Sequence, residues 1–161
     1  MLTLTLRFTH VFFGALWVGM MAFQVFLLMP ALGEAGPDAA KLMPALARRN
    51  IPTLMLVFAI LALGSGFWLF QRMAGGSPAA FMATPMGKGF AFGGVVALLA
   101  FLLGVTVMRP AMMRSMKLAA SHDPAFAQEI QRLRARGTAV GRWVAILLLV
   151  TLAAMAVARY L

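Results

Sequence analysis

Residues 8–29, FTHVFFGALWVGMMAFQVFLLM, form one apolar run containing a single ionisable side chain, His10. A helix needs about 20 apolar residues to cross roughly 30 Å of hydrocarbon, so this run is long enough to span a bilayer. Peptide groups cannot stay unpaired in lipid, which leaves helices and closed barrels as the spanning structures. The run is continuously apolar, whereas barrel strands alternate. Three further runs of the same kind follow, giving predicted spans at 4–29, 51–70, 89–108 and 143–158. The chain is 63% hydrophobic over 161 residues, more than a soluble domain of that size buries. The expected fold is therefore all-α: a single integral membrane domain, 1–161, built as a four-transmembrane-helix bundle.

The segments between the runs carry turn and charge signals. Pro30 is expected to stop the first span, and Arg109 with Pro110 to end the third. Asp123 is a candidate N-cap with Pro124 at the first helical position. Phe126, Ile130 and Leu133 then share a face, with Arg132, Arg134 and Arg136 mostly off it. This pattern predicts a separate amphipathic helix over 124–136, lying on the cytoplasmic surface against anionic lipid or a partner subunit. Packing seams between spans are expected at Gly89, Gly93 and Ala97, at Ala100 with Gly104, and at Ala62 with Gly66, where small residues admit close approach.

Net charge is +10, yet the basic residues flank spans rather than forming a nucleic-acid surface. The segments after the first and third spans hold ten Lys and Arg, against four on the other side (Arg7, Arg72, Lys88 and Arg159). The positive-inside rule then places both termini outside, with a bacterial inner membrane as the natural host. The apolar region at the start is too long for a cleaved signal and lacks a clear cleavage site, so it is expected to be retained. With no cysteine, disulfides and thiolate metal sites are excluded. The chain also reads as two tandem copies of one hairpin. Met29-Pro30-Ala31 recurs as Arg109-Pro110-Ala111 eighty positions later, and Phe12-Phe13-Gly14 is echoed by Phe92-Gly93-Gly94.

Few residues are candidates for chemistry. His10 is an ionisable group at membrane depth, which is expensive and so raises a functional reading. On its helical face stand Arg7 one turn outward, Gly14 one turn inward and Trp17 two turns inward. A histidine ligand, a glycine leaving room for a flat ring, neighbouring aromatics and a rim arginine suit a b-type haem. Arg72 and Lys88 are further rim candidates. The plainer reading is a neutral histidine bonded to a carbonyl elsewhere in the bundle. Fourteen methionines raise Cu(I) as a second cofactor, but thioethers also fill gaps in apolar packing, and their spacing favours packing. Gln24 is expected to satisfy itself against neighbouring backbone. No carboxylate lies in a span, which argues against a proton-coupled transporter. With no nucleophile–base pair in view, catalysis has little support.

The run from His10 to Trp17-Val18-Gly19, followed by a proline-ended span, resembles the first helix of the CopD-like membrane family. It is also similar to the HemJ-type protoporphyrinogen oxidases and the membrane portion of some urate oxidases. The resemblance covers the first span well and the four-span layout loosely. It implies a helical bundle that holds b-type haem or handles copper, with His10 as the residue carried over. Electron transfer or membership of a redox complex would follow; a cofactor-free assembly subunit or homo-oligomer is the alternative. The haem-dependent relatives use more than one intramembrane histidine. Here the repeat places Phe90 where a second would stand, and His122 falls in the far loop. A second axial ligand would have to come from Met73, Met86 or Met155, from water, or from another chain.

Overall fold

A computed structural model of the chain describes residues 1–36, 48–121 and 123–161. Four long helices account for almost all of it: α1 (Leu2–Glu34), α2 (Ile51–Met73), α4 (Pro85–Ala120) and α5 (Pro124–Ala158). A short helix, α3 (Pro78–Ala83), joins α2 to α4. Each long helix is apolar enough to cross a membrane, and only 22–28% of its most apolar stretch is buried in the bundle. The rest is covered by large side chains such as Phe67, Phe92, Leu98 and Leu149, all exposed. Lipid is the only solvent that suits that surface, so the chain is an integral membrane protein.

The helices pair as two hairpins, α1 with α2 and α4 with α5. Trp17, Met21, Met55, Ala59, Ala62, Ala100, Val144 and Leu148 form the core where the hairpins meet. Of the small-residue seams predicted from the sequence, the one at Gly89 and Gly93 carries close helix contacts, whereas a Cβ at Gly104 would meet nothing within 4 Å. A Cβ added at Gly89 would lie 2.7 Å from the Ala158 Cβ, and one at Gly93 3.0 Å from the Met155 Cε.

Neither proline ends its helix. α1 runs on past Pro30 and α4 past Pro110. A proline inside a helix lacks an N–H and its ring clashes with the carbonyl four residues back. Here each conflict is relieved by one widened turn of π geometry, at Gln24–Leu28 and at Gly104–Met108. The residue before each proline donates its N–H five residues back, Met29 to the Gln24 carbonyl and Arg109 to the Gly104 carbonyl. The two turns are eighty positions apart, the offset of the sequence repeat. Matching distortions at matching positions are a stronger sign of repetition than the few shared letters.

The separate surface helix expected over 124–136 is also absent. Asp123 does cap, accepting from the Ala125 N–H at 2.8 Å. From there the helix continues unbroken through Gly137 and Gly141 into the apolar run. The glycines mark contact rather than a break. A Cβ at Gly137 would stand 2.8 Å from the Met112 Sδ, and one at Gly141 3.4 Å from the Met108 Sδ. The polar parts of α4 and α5 thus form an upright antiparallel pair, with Ala111 and Ser115 buried between them and Arg114 bonded to Glu129 at 2.6 Å.

Helix lengths fix how this sits in a bilayer. α2 has 23 residues, whereas α1, α4 and α5 have 33, 36 and 35. At 1.5 Å per residue the longer three measure roughly 50 Å or more, well beyond the ~30 Å of hydrocarbon. The His10–Ala62 contact sets the register of α1 against α2, so the excess lies at the end where α2 begins. We call this the loop end and the opposite one the terminal end. Exposed Trp143 and Tyr160 lie about 25 Å apart along α5, where an aromatic belt would place them.

Candidate functional site

Two places in the bundle hold polar groups at membrane depth. The first is His10, near the terminal end. Its Nδ1 lies 2.8 Å from the Ala62 carbonyl oxygen of α2. A carbonyl only accepts, so Nδ1 carries the hydrogen, and in the neutral ring Nε2 is left as a bare lone pair. The ring lies against Gly66: a Cβ there would come 2.7 Å from Cε1 and 2.8 Å from Nδ1. Ser65 also turns back onto its own helix, donating to the Leu61 carbonyl at 2.5 Å and to the Ala62 carbonyl at 3.2 Å. His10 therefore ties α1 to α2 by a side-chain bond of a class worth about 0.6–2 kcal/mol in membranes.

The other residues proposed around His10 are distributed unevenly. A Cβ on Gly14 would meet nothing within 4 Å, so space exists one turn inward. Arg7 and Arg72 are exposed at the terminal end and make no ion pair among the described residues. Trp17 belongs to the core where the hairpins meet. It is buried in the core, edge-on to Phe101 at 6.4 Å, and faces the opposite half of the bundle. Phe13, one turn inward of His10 on α1, meets Phe58 of α2 with ring centroids 5.5 Å apart. Of the methionines considered as second ligands, Met155 is packed on Gly93 between α4 and α5, and Met73 is exposed. His122 lies outside the described residues. Among those described, no three His, Asp or Glu side chains cluster as a metal site.

The second place was not foreseen. Between the hairpins, toward the loop end, lies an apolar cavity of about 150 Å³. The first and closing residues of both π turns line it: Gln24 and Met29 from α1, Gly104 and Arg109 from α4. Seven of the fourteen methionines reach its wall: Met21 and Met29, Met55 of α2, and Met108, Met112, Met113 and Met116. Trp17 and Phe101 close its inner end. Three buried side-chain polar atoms lack a hydrogen-bond partner among the described residues, and two belong to cavity residues, Gln24 Oε1 and Arg109 Nε. Gln24 thus does not satisfy itself against neighbouring backbone. Sequence spacing hid this convergence because the residues come from three helices, and two helices change phase at a π turn. The only local signal was the repeated residue-Pro-Ala pair.

The arrangement offers two chemistries. His10 presents one nitrogen lone pair from a ring held against Gly66 of α2. The loop-end cavity presents thioethers and aromatics around a cation. Comparison with protein-family models, with curated proteins and with solved structures gave no match to this chain.

Proposed function

We propose that this chain is a small membrane subunit that holds a b-type haem at its terminal end through His10 and serves electron transfer within a redox complex. One observation carries the reading. The Nδ1–H···O=C bond from His10 to Ala62 fixes the tautomer that leaves Nε2 free, the arrangement usual for a ligating histidine. Gly14, one turn inward of His10 on α1, has open space at its Cβ position, and Arg7 and Arg72 are exposed at the same end, where propionates would pair. When bound, the haem would supply one-electron chemistry; the chain's own part is to orient the imidazole and screen it from water. His10 is the residue of this chain that would hold the group; of the methionines considered beside it, Met155 is packed on Gly93 and Met73 is exposed.

The ten-to-four split of basic residues favours an orientation with both termini outside, in a bacterial inner membrane. A reduced-minus-oxidised spectrum of protein purified from cells supplied with haem tests the cofactor. The expected result is a b-type band that is lost in His10→Ala and keeps its position in Arg134→Gln, a change at the other end. Absence of the band in the native protein sinks the reading. A second reading, a cofactor-free assembly subunit, draws on the contact of the ring with Gly66, which explains His10 as a helix clamp alone. Copper handling is weaker. The thioethers do converge, but the Arg109 guanidinium shares their cavity and would repel a cation.

A further inference from the structure

The loop-end cavity is separate from His10 and calls for its own explanation. A guanidinium nitrogen shut off from water is costly unless a partner meets it. Arg109 has its Nε shut off from solvent without a partner, and the ion pair at this end joins Arg114 to Glu129 instead. Among the described residues, no carboxylate lines the cavity. No described residue supplies a counter-charge at this nitrogen. Gln24 Oε1, on the same wall, needs a donor. Beyond these two groups the wall is thioether and aromatic, a flexible apolar lining suited to an alkyl chain.

We propose that this cavity is a site for one anionic phospholipid of the leaflet at the loop end. Its phosphate pairs with Arg109, its headgroup hydroxyl donates to Gln24, and one acyl chain lies between the hairpins toward Trp17. Charge complementarity selects this occupant over a neutral lipid or a metal cation. Depth supports it too, because Arg109 follows the apolar stretch of α4 and stands where lipid headgroups begin. The surrounding surface is basic: Arg114, Lys117, Arg132, Arg134 and Arg136 share the same end.

The test is native mass spectrometry of the full chain, released from detergent after mixing with equal amounts of phosphatidylglycerol and phosphatidylcholine. The native protein is expected to retain one phosphatidylglycerol in preference. Arg109→Gln should lower that retention about tenfold or more, the scale of a lost charge-assisted bond. Arg109→Lys should restore part of it. Gly104→Leu leaves Arg109 in place and adds bulk to the chamber wall, where a Cβ at Gly104 meets nothing within 4 Å. It should expel the lipid while circular dichroism stays native. Arg134→Gln should retain the lipid. Equal retention by the native protein and Arg109→Gln overturns the proposal, as does equal loss in Arg134→Gln, which would signal only a diffuse basic field. Stoichiometric Cu(I) binding by lipid-free protein, unaffected by Arg109→Gln, would assign the thioethers to a metal and overturn it as well.

Discussion

His10 and Gly66 are two halves of one contact. The imidazole occupies the space that any side chain on residue 66 would need, and its position is fixed by the bond to Ala62. Gly66→Ala should therefore cost about 1–3 kcal/mol, the usual penalty for overpacking. In a His10→Ala background the same change should cost close to nothing. A double-mutant cycle, read by denaturation in mixed micelles, measures the difference; equal costs in both backgrounds would mean that the contact is not made. His10 stood out in the sequence because it is the one ionisable residue in the apolar run 8–29. Gly66 was read only as a packing residue, because its partner lies 56 positions away and periodicity carries no distance information of that kind. Arg109 was counted as a loop charge for a similar reason. Its burial depends on a turn whose geometry one sequence does not specify.

At the scale of helices, glycine contacts differ in what they meet. At Gly89 the obstacle is the Cβ and Cα of Ala158, which can move only with the last turn of α5. At Gly137 it is the Sδ of Met112, on a flexible side chain that can swing aside. Gly89→Ala should thus lower stability by about 1–3 kcal/mol and Gly137→Ala by less than about 1 kcal/mol. Thermal melting of the two variants in one detergent checks the order; the reverse order would contradict the packing. The four spans were legible because their apolar runs are long and uninterrupted. Their continuations were not. Pro30, Pro110, Gly137 and Gly141 are all ordinary stop signals, and each is absorbed here, the prolines by a π turn and the glycines by a neighbouring methionine. Local propensity marks where a helix is weak, and tertiary packing decides whether it ends there.

For the whole molecule, the division of charge gives a prediction that the lack of cysteine makes easy to examine. Arg134→Cys and Gly75→Cys place single thiols at the loop end and the terminal end. In intact cells an impermeant maleimide should label residue 75 and spare residue 134 until the membrane is opened. Labelling of residue 134 alone would reverse the orientation, and labelling of both would contradict a spanning bundle. The inequality of the helices has a further effect. α2 is only 23 residues long and is tied at both ends, by the left-handed Asn50 at its start and the Gly75-Gly76 turn after it. The imidazole bond to Ala62 pins it sideways as well. It cannot lengthen, and it cannot lean over without dragging α1 along. In a thicker bilayer the surrounding lipid would have to compress to match it, so the shortest member sets the membrane thickness in which the protein rests without strain.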